Sequence, residues 1–361
     1  MIELKRYFDD VEARIDQAQE RRIAGEWLDF CALRCTDEFF SPARRPAPSR
    51  IEWPRVCINA AFDDMELMLY LQLKGVSDML AAGSGLMLSV RANYGTCIIP
   101  SMFGAEVFPL PDDADTLPGA LPLKGGVDAL RDIAETREID YGRGLAPRVF
   151  EFGERWQEAV RDYPNIRAHV HLYNPDLQGP FALADMLAGS GIYYALYDEP
   201  EVILSALEHM TDVYLDFTRR WQAQHPPYDK LHSVEWGLMH RGHTMLRNDA
   251  IVNLSPAMYR EFAMPYDARV FAELGGGMHF CGRGDHYMAD ACSLPGLSCI
   301  NMSQPELNDM DKIYAATIER GKLIVGMPAA EISRAGMCGR RLMGRVQSGA
   351  SLSAYMAKKD V

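Results

Sequence analysis

SPAMYREFAMPYDARVFAELGGGMHFCG, residues 255–282, holds a helix start, a helix break, a glycine turn and a strand in one run. Ser255 can accept a hydrogen bond from a free N–H of the first turn, and Pro256 falls where its missing N–H costs nothing. Pro265 should kink or break the helix that follows, because its ring clashes with the preceding turn. The helix runs to Gly275. Residues 278–282, MHFCG, then read as a short strand. His279 and Cys281, two apart, share one face of it, and Phe280 takes the other. A helix returning to a strand is half of a crossover unit.

The sequence on either side repeats that unit. VCINAA (56–61), TCIIPSMF (96–103), IRAHVHLY (166–173), LHSVEW (231–236), LSCINMS (297–303) and KLIVGMP (322–328) read as further strands. Between them, the segment from Glu199 to Gln224 places Ile203, Leu207, Met210, Tyr214, Phe217 and Trp221 at spacings of 3 and 4, which makes one apolar helical stripe. Strand and helix in alternation imply parallel strands with crossover helices. The expected architecture is a (β/α)8 TIM barrel over residues 51–361. An N-terminal extension precedes it at 1–50, made of amphipathic helices over 2–32 and then a Pro-rich loop, SPARRPAPSRIEWP (41–54), that runs into the barrel. A doubly wound sheet is the alternative, and it lacks the G-x-G-x-x-G turn.

The 361 residues are 48% hydrophobic and 24% charged, as in an ordinary globular protein. The length suits one large α/β barrel or two medium domains. No apolar run approaches the roughly 20 residues that span a bilayer. The N-terminal stretch MIELKRYFDDVEARIDQAQERR is dense in both charges and has no apolar core of a signal peptide. A cytoplasmic protein is therefore expected. Its eight cysteines lack framework spacing and are expected to be reduced. A net charge of −13 with no basic stripe argues against a nucleic-acid partner.

An imidazole and a thiol aimed one way from a strand end suit zinc, which accepts nitrogen and sulfur alike. Barrel enzymes keep their catalytic groups at such ends. Alone, H-x-C is a weak motif, and a tetrahedral site needs more ligands. Glu306, after LSCINMS, and Cys338, in GMCG after the last strand, are the candidates. Asp285 and His286 could also reach the mouth, whereas Cys292 and Cys299 read as small buried apolar residues. In IRAHVHLY, Arg167, His169, His171 and Tyr173 alternate to one face. His169 and His171 are thus candidate substrate contacts, with hydrogen-bonded structure as the alternative. HRGHTMLRND (240–249) reads as a βα loop whose Arg247 binds an anionic substrate, with Asp249 and His286 as candidate catalytic groups. Arg91, Asn93 and Tyr94 of SVRANYGT (89–96) and the glycine-flanked Arg283 complete the substrate-binding set.

Several blocks resemble the uroporphyrinogen decarboxylase superfamily. DLQGPFALADMLAG (176–189) followed by DEPEVILSALEHMTDVYLDF is similar to its GPFTLA block. NLSPAMYREFAMPYDARVFAELGG is similar to its SPe-y-ef--Py helix, and MHFCG to its H-x-CG strand. The likeness spans roughly residues 160–285 and implies a (β/α)8 barrel. True uroporphyrinogen decarboxylases use no metal and carry an N-terminal arginine cluster that is missing here; Gly75-Val76-Ser77-Asp78 is a distant echo of their Asp segment. The chain looks closer to the methylcobalamin:coenzyme M methyltransferases, which hold zinc with H-x-C, a later acidic residue and a further Cys. The resemblance carries that set onto His279, Cys281, Glu306 and Cys338. It implies a zinc-dependent methyltransferase that moves a methyl group between a corrinoid, or another donor, and a thiol. The expected partners are a small-molecule substrate and a corrinoid protein, and homodimerisation is left open. Two alternatives stand beside it. One is a decarboxylase of a tetrapyrrole or aromatic acid, clamped by Arg91, Arg247 or Arg283. The other is a non-catalytic barrel that binds a corrinoid or porphyrin.

Overall fold

The computed structural model describes residues 3–349. Its strands, in chain order, are β1 (Ser89–Val90), β2 (Val107–Phe108), β3 (Gly119–Ala120), β4 (His171–Leu172), β5 (His232–Glu235), β6 (Leu238–Arg241), β7 (Thr244–Arg247), β8 (Gly276–Phe280), β9 (Leu297–Met302), β10 (Leu323–Met327) and β11 (Val346–Ser348). The last five form one sheet in the order β11-β10-β9-β8-β7, every neighbour parallel. β1 and β4 make a separate parallel pair, and a single parallel bridge from Gln178 to Arg247 joins the segment after β4 to β7. Helices cross between the strands of the second half, as the alternation requires.

The opening stretch folds largely as its residues dictate. The Ser255 hydroxyl accepts from the Met258 N–H at 3.3 Å, and Pro256 begins helix Pro256–Phe262. The break falls at Ala263, and Pro265 sits in the first turn of the next helix, Met264–Leu274. The glycines after it let β7 and β8 approach closely. Gly276 has φ +147°, and a Cβ there would lie 1.8 Å from the Thr244 carbonyl oxygen. The stripe from Ile203 to Trp221 lies on helix Pro200–Gln224, and all six of its residues are buried.

The first half departs from the expected barrel. VCINAA and TCIIPSMF contain helices, Ile58–Asp63 and Ile98–Met102, not strands. Periodicity cannot separate a short buried helix from a strand in so brief an apolar run, and Pro100 has no N–H to give a ladder. In IRAHVHLY, Pro164 at the first helical turn starts helix Pro164–His169, so only His171 and Leu172 are strand. Arg167 and His169 therefore do not share a strand face with His171 and Tyr173. LHSVEW is a strand, but it pairs antiparallel with β6 through Trp236–Gly237. Both turn residues have positive φ, 52° and 78°, the geometry of a two-residue hairpin turn. HRGHTMLRND is the end of β6, a tight turn at Gly242 and all of β7; it is no loop. Among the described residues the ladders do not close into a ring of eight strands. The architecture shown is a mixed α/β fold around a five-stranded parallel sheet.

The N-terminal helices Leu4–Arg14 and Gln17–Cys31 share the main core. Trp27 is fully buried and its indole N–H donates to the Gly85 carbonyl at 2.9 Å, while Arg44 and Glu20 form a buried ion pair at 2.8 Å. No helix among the described residues is long and apolar enough to cross a membrane.

Candidate metal centre

Parallel registry builds the site. Arg247 on β7 stands opposite His279 on β8, which stands opposite Asn301 on β9. Two residues further along each of the first two strands come Asp249 and Cys281, so a carboxylate and a thiol arrive at neighbouring strand ends. Asp249, His279 and Cys281 each bring one ligand atom into a group whose members all lie within 4.8 Å of one another. Cys281 Sγ is 3.5 Å and Asp249 Oδ1 is 3.7 Å from His279 Nε2.

The groups around this triad orient it. Asn301 Nδ2 donates to the Val325 carbonyl at 2.7 Å, so its Oδ1 must face the other way. There it accepts from His279 Nδ1 at 2.6 Å. That bond puts the imidazole proton on Nδ1 and leaves the Nε2 lone pair facing the thiol and the carboxylate. Room for Asn301 comes from Gly326, where φ is +76° and a Cβ would lie 2.4 Å from Asn301 Nδ2. Asp249 is held by two donors, the Cys281 N–H to Oδ1 at 2.9 Å and Gln178 Nε2 to Oδ2 at 2.7 Å. The Trp236 ring stands edge-on to His279 at 5.0 Å.

Burial pushes the Cys281 thiol up to about 11, helped by the Asp249 carboxylate. Burial likewise lowers the His279 pKa, keeping the imidazole neutral and able to bind a cation through Nε2. An oxygen, a nitrogen and a sulfur donor form a set that zinc accepts. Three protein ligands also leave a fourth position for substrate, as catalytic zinc sites do. The donor set fits the metal.

Glu306 and Cys338 are not part of this group. Glu306 is exposed on the short turn Pro305–Leu307 beyond β9, and Cys338 is exposed at the C-terminal end of helix Ala329–Met337. Asp249 stands where a third ligand was sought. His286 lies aside, its Nε2 2.9 Å from the Leu254 carbonyl. Asp285 is buried and paired with Arg283 at 2.8 Å and Lys312 at 3.5 Å.

The expected anion-binding arginines are engaged. Arg247 is no rim residue: its side chain is 3% exposed and pairs with Asp176 at 2.6 Å and Glu235 at 2.9 Å. Its guanidinium lies over the Trp236 ring, 4.4 Å from the centroid. Arg91 pairs with the second oxygen of Asp176. Two guanidiniums and two carboxylates thus balance inside the fold. Asn93 and Tyr94 are buried, Tyr94 with its hydroxyl 3.9 Å from the Met65 sulfur. His169 ends its short helix, and His171 faces Tyr228 at 5.1 Å beside a cavity where the strands begin, away from the triad.

No family model matches the sequence, and neither does any curated protein. A solved structure does match: a methyltransferase from Methanosarcina mazei, with a TM-score of 0.62 over 94% of this chain and 98% of that one. The fold is shared. Identity is 15%, so the likeness is one of fold alone.

Asn301 should matter to the metal without touching it. Asn301→Ala frees the His279 ring and its tautomer, and loss of such an outer partner costs about 10- to 100-fold in affinity. Zinc titration of the refolded variant should show that loss with helix content unchanged. An unchanged affinity would mean that the tautomer is set elsewhere.

A further buried acid, Asp267, lies against Asn248, the residue before Asp249. Asp267 accepts from Asn248 Nδ2 at 2.9 Å and from the Tyr259 hydroxyl at 3.2 Å, and burial raises its pKa to about 7. A folded pKa above the ordinary 3.8 means that the folded state holds this proton more tightly. The stabilisation is present below about pH 4 and is lost as pH rises through 7. Compared with Asp267→Asn, the wild type should lose stability between pH 5 and pH 8 in urea unfolding. A stability difference that does not change with pH would place the proton elsewhere.

Proposed function

We propose that this protein is a zinc-dependent methyltransferase that moves a methyl group between a corrinoid, or another methyl donor, and a thiol. The observation that carries the reading is the Asp249–His279–Cys281 triad, preset by Asn301 at the ends of β7 and β8. The shared fold with a methyltransferase supports it. Bound to the triad, a zinc ion would hold the acceptor sulfur and lower its pKa, so that thiolate is present at neutral pH.

The chain's own groups prepare that position. Asn301 keeps the Nδ1 proton of His279 away from the ligand side. Gln178 and the Cys281 N–H fix Asp249, so little reorganisation is needed when ligands bind. Trp236 stands edge-on against the imidazole and helps to hold its ring in place. The acceptor's S–H proton leaves to solvent, its sulfur takes the methyl carbon, and the donor keeps the electron pair of the broken bond.

The arginine pairing favours this reading over a decarboxylase. Among the described residues, Arg91, Arg247 and Arg283 each meet an acid of the protein, so none is left as a free clamp for substrate carboxylates. The test is methyl transfer from methylcobalamin to 2-mercaptoethanol. Zinc-loaded protein should form the methyl thioether, and chelated protein or Cys281→Ala should not. Absence of the thioether with fully loaded protein, or equal rates with and without zinc, would overturn the reading.

A further inference from the structure

Asn248 stands between Arg247, which ends β7, and the candidate ligand Asp249. Its backbone N–H donates to the His279 carbonyl at 2.9 Å, so it is tied to both strands that carry the triad. Its side chain is fully buried. Two stretches of sequence that the proposed reaction leaves unused close around that side chain.

The first is GPF, residues 179–181. Gln178 bridges to Arg247, and the Gly179 N–H donates to the Arg247 carbonyl at 2.7 Å, which lays this segment along the end of β7. A Cβ on Gly179 would lie 2.1 Å from Asn248 Oδ1, so the bare backbone there makes the room that Asn248 occupies.

The second is SPAMYREFAMPYD, residues 255–267. Its break at Ala263 separates helix Pro256–Phe262 from helix Met264–Leu274. Across the break the Tyr259 hydroxyl donates to Asp267 Oδ2 at 3.2 Å, and Asn248 Nδ2 donates to both Asp267 oxygens at 2.9 Å. Tyr259 and Asp267 are buried too, and among the described residues no cation pairs with the carboxylate. An acid held in the interior without a cation costs stability. What it supplies is a fixed acceptor for one amide.

We propose that Asp267 is a positioning residue of the metal centre, acting through Asn248. With Nδ2 held by Asp267 and Oδ1 seated against Gly179, the Asn248 amide has one orientation, and so has the backbone from which Asp249 leaves β7. Without the carboxylate, Nδ2 is left unpaired in the interior, and the side chain must turn or the strand end must shift. Either movement changes the place of Asp249 Oδ1, now 3.7 Å from His279 Nε2.

The inference rests on the triad being a zinc site, and its test reads metal binding rather than turnover. Zinc affinity is measured on the whole protein by competition against a chelator. The cobalt-loaded form adds an absorption spectrum that follows ligand geometry and the Cys281 thiolate. Asp267→Ala should bind zinc about tenfold more weakly, the lower end of the loss for outer partners, because it acts at one further remove. Its cobalt bands should move. Asp267→Asn keeps an oxygen for Asn248 Nδ2 and adds an N–H for Asn248 Oδ1, which has no partner among the described residues. It should hold zinc within about threefold of the wild type. Tyr259→Phe removes one donor to Asp267 and should move the cobalt bands in the same direction by a smaller amount. Val270→Ala, in the core of the same helix, is the control; it should lower thermal stability and leave zinc affinity and the bands unchanged. Unchanged affinity and bands in Asp267→Ala, or in Tyr259→Phe where the alanine variant does not fold, would overturn the positioning role and leave the metal centre standing. An equal loss in Val270→Ala would do the same. A wild type that takes up neither metal would overturn both.

Discussion

Replacing Arg247 with alanine should destabilise the protein by about 3–5 kcal/mol, the cost of breaking a buried ion pair by removing one partner. Arg247 donates to Asp176 and Glu235, and its NH1 donates to the Met245 carbonyl at 2.9 Å. Glu235 is fully buried, and its other oxygen is occupied by Asn174 and the Met245 N–H. Without the guanidinium, two carboxylates remain in the interior against Arg91 alone. Loss of the cation over Trp236 also frees the ring that stands against His279. Arg283→Ala makes the contrast. Its side chain is 67% exposed, and Asp285 keeps Lys312, so the loss should be far smaller than that of Arg247→Ala. Urea unfolding of both variants checks the pair. Arg247→Ala unfolding like the wild type would show that the network does not hold β7 in place.

Alanine at His279 or Cys281 should have the larger effect on the metal. Loss of an outer partner already costs about 10- to 100-fold, and loss of a ligand must exceed that. Each variant should bind zinc at least about a hundredfold more weakly and lose methyl transfer with it. The fold should survive, because both side chains are only partly buried and lie at the end of β8, Cys281 just past its last residue. A competition titration against a chelator of known affinity measures this. Either variant binding zinc like the wild type would remove that residue from the site.

Three of the five parallel strands, β8, β9 and β10, were legible because they are short apolar runs entered through a glycine; β7 and β11 were not. The helix break near Pro265 and the strand carrying His279 and Cys281 both follow from local chemistry. The first half was not legible. Residues 58–63 and 98–102 are brief helices whose apolar runs look like strands, and only tertiary packing decides between the two. The site was half legible for a related reason. HRGHTMLRND looked like a loop because five of its ten residues are histidine, arginine or aspartate, yet Thr244–Arg247 is a buried strand. Once it is a strand, Arg247 aligns with His279, and Asp249 comes beside Cys281 as the third candidate donor. Asn301 carried its own signal as the lone amide in the apolar run LSCINM. What that amide touches depends on registry, which the sequence does not display. Glu306 and Cys338 came from their places just after expected strands and from a family pattern, and the turn at Pro305 carries Glu306 outward to the exposed side.

Zinc content per chain, measured by elemental analysis after dialysis, tests the metal centre most directly when wild type is run beside Asp249→Ala, Glu306→Ala and Cys338→Ser. The account predicts about one zinc per chain in the wild type and in the Glu306 and Cys338 variants, and little in Asp249→Ala. A wild type that binds no zinc would contradict it. So would an Asp249→Ala protein that keeps its zinc while a Glu306 or Cys338 variant loses it.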